Sequence, residues 1–322
     1  MLLPSLETGG NMFKKNTIII TIFSILLLVF TTYVLADSFL ITRVYSQVEY
    51  ETANETASAL TDSEEERSDD NSETETSDPV ITETAYQDDN IQITLKEYET
   101  NDTTVYVADI QLSDASYLQT ALAQGLYGKN VTAETSETAE SVGAILAING
   151  DYYGSQERGY VLRNGVLYRS TAEPGQEDLV IYADGSFEII NESEVSAEDL
   201  LANGAVQILS FGPALIENSS IAVSEDEEVG KAKASNPRTA IVIIDELYYV
   251  FVVSDGRTDE SEGLSLYELA EFMESLGVTT AYNLDGGGSS TMYFNGQIVN
   301  NPTTTGNSIK EREVSDIVYI GY

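Results

Sequence analysis

The chain contains no cysteine and no histidine. Without cysteine there are no disulfides, no thiol nucleophiles and no thiolate metal sites. Without histidine there are no Ser-His-Asp triads, no ordinary zinc hydrolase sites and no imidazole acid–base catalysis. Any catalysis must therefore use Asp, Glu, Ser, Thr, Tyr, Lys or Arg, or a metal held by oxygen ligands. Positive charge is also scarce: 15 Lys plus Arg stand against 54 Asp plus Glu, a formal charge of -39. A chain this acidic repels nucleic acid over most of its surface, so no nucleic-acid partner is expected. Its 322 residues suffice for one large domain or two ordinary ones.

Residues 17–35, "TIIITIFSILLLVFTTYVL", carry no charge and follow Lys14 and Lys15. Nineteen helical residues reach ~28 Å, close to the ~30 Å hydrocarbon thickness of a bilayer. The lysines place the N-terminus inside and the remainder outside. This predicts a cytoplasmic segment at 1–16 and a transmembrane anchor at 17–36. A cleaved signal peptide, with Val34 and Ala36 before the cut, is the alternative, but its apolar core would usually be shorter. Met12, followed by "FKKN", reads as a more natural start than Met1. Residues 49–78 hold twelve acids against one arginine. Such a stretch cannot bury enough apolar surface to offset chain entropy, so 37–87 is expected to be a disordered acidic linker.

From about Asp88 the texture changes. "IQITLKEY" and "TVYVADIQL" alternate as strands. "VLRNGVLYR" and "VIYADGSFEII" place Asn-Gly and Asp-Gly between apolar runs, the hairpin pattern. Further strands are expected at "GAILAIN", "TAIVII", "YYVFVV", "VTTAYNL", "TMYF" and "DIVYIGY". A helix is marked at 265–276: Ser265 and Glu268 form a capping box, Leu266, Leu269, Ala270, Met273 and Leu276 share a face, and Gly277 stops it. Shorter helices are expected near 116–124, 134–142 and 196–203. Together these predict a single mixed α+β domain over 88–322, built on a mostly antiparallel sheet core.

The segment "NLDGGGSSTMYF" (283–294) sets three glycines between Asp285 and a run of hydroxyls. A dinucleotide fingerprint needs G-x-G-x-x-G opening a helix, whereas these glycines lead into a strand. A P-loop needs a lysine that is absent, and a nucleophile elbow needs G-x-S-x-G with a histidine partner. What remains is a strand ending at a carboxylate, a loop of backbone amides able to nest an anion, and nearby hydroxyls. A tight turn or bulge between close strands is the other reading. "AINGDYYG" (147–154), "NPRTAIVII" (236–244) and "VVSDGR" (252–257) likewise place Asn, Asp, Gly and Arg at strand ends, as binding sites often do.

These segments, with "GYVLRNGVLYR", "SFGPALI" (210–216), "GLSLYELAEFMESLGVTTAYNLDGGGSSTMYFNGQIVN" and the terminal strand, resemble the phosphodiester glycosidase family in order and spacing over about 88–322. One departure lies near the C-terminus, where the family reads close to E-R-P-V-x-N-A and this chain reads "EREVSDI" from Glu311. Glu313 stands in the proline position, so no substrate contact is carried over to Arg312.

The resemblance implies hydrolysis of a sugar-1-phosphodiester at the anomeric C–O bond; no cofactor and no metal are expected. A phosphate monoester leaves readily, so an active site without histidine suffices, and carboxylates stabilise the oxocarbenium-like centre and activate water. Matched to the family motifs, the catalytic candidates are Asp285, Asp151 and Asp255, with Asp285 first because it adjoins the glycine loop. Arg238 and Arg257 are the candidate phosphate clamps, since guanidinium pairs bidentately with phosphate oxygens. Asn149, Gly286, Gly287, Gly288, Ser289 and Ser290 complete the expected substrate site. The expected partners are a phosphorylated glycan and, through the N-terminal helix, a membrane. Two rival readings stay open: a non-catalytic envelope module that binds phosphorylated glycans, and an oxygen-ligated metal hydrolase, although no D-x-D-x-D-G loop is present.

Overall fold

The computed structural model describes residues 9–48, 78–225 and 235–322. It comprises two compact units, Met1–Arg43 and Val44–Tyr322. The first unit contains one helix, Gly9–Phe39. Its apolar stretch Thr17–Ser38 is long and hydrophobic enough to cross a bilayer.

Among the described residues, three large antiparallel sheets build most of the second unit, and Arg43–Gln47 and Leu126–Lys129 pair as a small two-stranded sheet. The largest has nine strands; its centre runs Thr280–Asn283, Arg238–Asp245, Tyr248–Ser254, Thr103–Leu112 and Ile91–Thr100. A five-stranded sheet has Leu146–Asn149 at its centre, between Met292–Phe294 and Asp316–Ile320, with Leu118–Leu122 at one edge. The other five-stranded sheet includes Val161–Arg163, Ala205–Leu209 and Glu177–Tyr182. Alternation along each strand assigns its two faces. Ile93, Ile110, Ile241 and Phe251 of the large sheet meet Leu146, Ile148 and Val318 of the second and Leu179, Ile181 and Leu209 of the third in one shared core.

Each of the three large sheets has its opposite face covered by its own helix. Leu266–Ser275 lays Leu266, Leu269, Ala270 and Met273 over Val107, Val242 and Val252 of the large sheet. Ala139 of Thr135–Ser141 covers Ala147 and Ile317, and Leu200 of Ala197–Ala202 covers Val180 and Ile208. The mixed α+β architecture on antiparallel sheets is the predicted one. So is the Ser265–Glu268 capping box, with Gly277 at φ +75° closing that helix.

Two expectations need correction. Residues 116–124 do not form a helix: Ala115–Tyr117 and Ala123–Gly125 are single 3-10 turns flanking the strand Leu118–Leu122. Leu118 enters the shared core while Ala121 faces the opposite side, and the strand pairs with Asp316–Ile320 across about 200 residues of sequence. The range 37–87 is not linker throughout. Val80–Ile81 and Ala85–Gln87 extend the large sheet. Upstream, Val48 donates its N–H to the Gly125 carbonyl at 2.7 Å, and the Tyr45 ring lies 5.8 Å from that of Tyr127. Most of the acidic stretch, residues 49–77, lies outside the described residues.

Candidate active site

Antiparallel pairing gathers the expected residues at one end of the sheets. Arg238 begins its strand opposite Ser254, while Ala240 faces Asn283. The start of the Arg238 strand therefore lies beside the ends of two neighbours, where Asp255 and Asp285 follow. In the second sheet, Asn149 ends its strand opposite Ile317, next to Asp316. Asn149 joins the two sheets. Its Oδ1 accepts from Thr239 Oγ1 at 2.8 Å and from the Thr291 N–H at 3.3 Å, while its Nδ2 donates to the Asp285 carbonyl at 2.6 Å. Fully buried, Asn149 sets the backbone of Asp285.

At Asp285 the side chain retains 17% exposure. Its Oδ2 accepts from Ser289 Oγ at 2.7 Å and from Arg312 Nη2 at 2.9 Å. Arg312 Nε also donates to Ser289 Oγ at 2.8 Å, so Asp285, Ser289 and Arg312 close a triangle. Burial raises the Asp285 carboxyl above its ordinary range, against the opposing pull of Arg312 and Ser289. Ser290 packs beneath the loop with no exposed surface.

The glycines are explained by what presses on them. A Cβ on Gly286 would lie 3.0 Å from the Pro237 carbonyl, one on Gly287 2.8 Å from Arg257 Nη2, and one on Gly288 2.4 Å from Thr304 Oγ1. Gly287 also sits at φ +64°, the region that favours glycine. Several loop amides are already engaged: the N–H of Gly287 bonds to Pro237, that of Ser289 to Gly286 and that of Ser290 to Gly287. The loop thus seats a guanidinium and a threonine.

Three arginines run along it. Arg238 is 4% exposed and donates through Nε to the Leu264 carbonyl at 2.8 Å. Burial, then the neighbouring Arg257 charge, pulls its guanidinium down to about 10. Arg257 is held by Asn236 Oδ1 at 2.9 Å and the Thr304 carbonyl at 2.7 Å; burial and then the charge of Arg312 lower it. Arg312 is exposed, at 43% of its side chain, and Arg257 is exposed as well. In a chain of formal charge -39, this concentration of positive charge beside one carboxylate suits an anionic ligand with a reacting centre at its edge.

Asp151 and Asp255 are placed differently. Asp151 is fully buried: one oxygen accepts from Arg163 Nη2 at 2.7 Å and the Ser210 N–H at 2.9 Å, the other from the Tyr153 N–H at 2.9 Å. Arg163 simultaneously bonds Asp316 through Nε at 2.8 Å, and burial pushes the Asp316 carboxyl well above its usual range. Asp255 accepts from the Asn301 N–H at 2.8 Å, Asn301 Nδ2 at 2.9 Å and Asn300 Nδ2 at 3.2 Å. Asn300 also donates to the Ser290 carbonyl at 3.0 Å, so Asp255 buttresses the far side of the glycine loop. Among the described residues no group of three or more acids is arranged to hold a metal.

This surrounding sequence matches the phosphodiester glycosidase family over residues 142–321. The chain belongs to that family. Similar phosphodiester glycosidase relatives include mouse N-acetylglucosamine-1-phosphodiester alpha-N-acetylglucosaminidase, 31% identical over 188 residues, covering 53% of this chain and 36% of that protein. The human enzyme of the same name is 30% identical over 188 residues, 53% of this chain and 36% of that one. A SPbeta prophage-derived protein of Bacillus subtilis is 29% identical over 184 residues, 56% of this chain and 28% of the other. The chain thus spans about a third of the length of these curated relatives. The zebrafish catalytic domain of the same glycosidase superposes with a TM-score of 0.57 at 21% identity, covering 72% of this chain and 83% of that one, a likeness of fold.

Within this phosphodiester glycosidase domain, sequence motifs found the glycine loop, Asp285, Arg238 and Arg257. They missed Arg312, set aside because Glu313 replaces a proline, and the buried Arg163 and Asp316. The Arg163 signal was present as a basic residue inside an otherwise apolar hairpin strand.

Proposed function

We propose that the chain hydrolyses glycosyl phosphodiesters at the anomeric C–O bond, acting on extracellular or cell-envelope glycans from a membrane-tethered position. The supporting observation is the Asp285–Ser289–Arg312 triangle, with Arg257 and Arg238 beside it. The guanidiniums hold the phosphodiester, and Arg312, exposed and bonded to Asp285, exchanges some of its hold on that carboxylate for a phosphate oxygen. As the C1–O bond breaks, its electron pair stays on the phosphate oxygen, where fixed positive charge stabilises it. The carboxylate of Asp285 faces the positive charge developing at C1. Water supplies the oxygen that ends on C1, and its released proton passes to the phosphate monoester or solvent. Asp151 and Asp255 act here as positioning residues, because their oxygens already serve the loops around Asp285.

Asp285→Asn tests this proposal. Its near-isosteric side chain should spare folding and most substrate affinity while lowering kcat at least ~10²-fold, the lower range for a positioned acid–base group. Measurements of kcat, Kd and thermal midpoint on both proteins separate the alternatives. Wild-type turnover with an unaltered kcat in Asp285→Asn would remove its catalytic role. Saturable binding of phosphorylated glycans with no turnover in either form would favour the binding-module reading.

A further inference from the structure

Beside Asp285 lies an aromatic pair that the proposed chemistry leaves unused. Tyr152 follows Asp151 on the loop after Leu146–Asn149 and keeps 38% of its surface exposed, although Tyr153 next to it is buried. Its ring meets that of half-buried Phe211 edge-on, with centroids 5.0 Å apart and planes at 70°. The loops bearing the two rings are fixed together. The single Asp151 carboxylate accepts from Tyr153 N–H and Ser210 N–H, directly downstream of Tyr152 and upstream of Phe211. Phe211 is further held by its N–H to Tyr282 Oη at 2.8 Å and its carbonyl to Gln176 Nε2 at 3.2 Å. The Asp285 N–H reaches the Gly150 carbonyl at 3.3 Å, which ties the reacting carboxylate to the same loop. The Asp285 charge acts on the Tyr152 phenol and, after burial, helps raise it.

A sugar-1-phosphodiester has two unlike ends. Its phosphate suits the arginines, whereas a pyranose ring presents an uncharged face of C–H groups that stacks on an aromatic surface. We propose that Tyr152 and Phe211 form the platform on which the pyranose ring rests, with its anomeric carbon turned toward Asp285. This rests on the hydrolytic reading of the site for its orientation but not for its chemistry. Asp151 then has a defined task, since it holds both halves of the platform in one geometry.

The test pairs kinetics with direct binding on the full chain. Tyr152→Ala should raise KM for a glycosyl phosphodiester roughly five- to tenfold, with a smaller change in kcat, and Tyr152→Phe should restore it. Inhibition by inorganic phosphate should not change in either variant. Independently, saturation-transfer NMR with methyl pyranosides should show contact at ring C–H protons in wild type and Tyr152→Phe, and none in Tyr152→Ala. If wild type turns over no phosphodiester yet shows this Tyr152-dependent contact, the platform stands and the hydrolytic reading falls. Turnover with a KM and an NMR response indifferent to Tyr152 would overturn the platform and leave hydrolysis intact. Wild type with neither turnover nor sugar contact overturns both.

Discussion

Asp285 carries two opposing influences within one side chain. Burial raises its carboxyl, while Arg312 and Ser289 pull it back down. If the ionised form works, activity falls as pH drops through its folded pKa. Arg312→Gln removes the countering charge, so the acid limb of kcat/KM should move to higher pH. Arg312→Lys keeps a charge but loses the planar fork, so its limb should stay nearer wild type while turnover drops. A pH–rate profile for the three proteins checks this, and an unmoved limb in Arg312→Gln would detach Arg312 from Asp285. The sequence displayed Asp285 plainly, because a carboxylate before three glycines is unusual in structured sequence. It did not display Arg312, whose partner lies 27 positions upstream and meets it only through loop packing.

Between elements, the buried Asp151–Arg163–Asp316 cluster ties three strands together. Arg163 ends the hairpin strand Val161–Arg163, Asp151 follows Leu146–Asn149, and Asp316 begins the terminal strand. Two carboxylates share one guanidinium, and desolvation lifts Asp316 well above its ordinary range. Its folded pKa therefore exceeds its unfolded value of ~3.9. The associated stability is fully present below that value and is lost as pH rises through the folded pKa. Asp316→Asn should flatten this dependence at little cost. Arg163→Met strands buried carboxylates without a cation and should cost about 3–5 kcal/mol. Urea denaturation across pH measures both; equal losses in the two variants would refute the asymmetric role given to Arg163. Local spacing could not reveal this cluster, because its members are neighbours only after two sheets pack.

For the whole molecule, the proposed tethered arrangement, read from Lys14 and Lys15 ahead of the apolar stretch Thr17–Ser38, has everything beyond the helix outside the cytoplasm. Glutamyl endopeptidase added to intact, wall-stripped cells should then cleave within the glutamate-rich residues 49–77. Protection until lysis, followed by cleavage, would reverse the orientation. The Val44–Tyr322 unit has no cysteine, and its core is drawn from three large sheets, each covered by a helix.

The sequence by itself determined the apolar N-terminal helix, the antiparallel α+β class, the capped helix at 265–276 and the glycine loop. Each is written in short-range periodicity, capping and turn chemistry, which act within a few residues. Tertiary structure decided that Leu118–Leu122 is a strand, since its partner lies about 200 positions away. It also decided which carboxylate stays open. Asp151, Asp255 and Asp285 look alike in sequence, each at a strand end beside glycine or aromatic residues. Only packing shows that Asp151 and Asp255 are enclosed by donors, while Asp285 shares its charge with an exposed arginine. The physical reason is that desolvation and hydrogen-bond saturation depend on neighbours in space, which spacing along the chain does not specify.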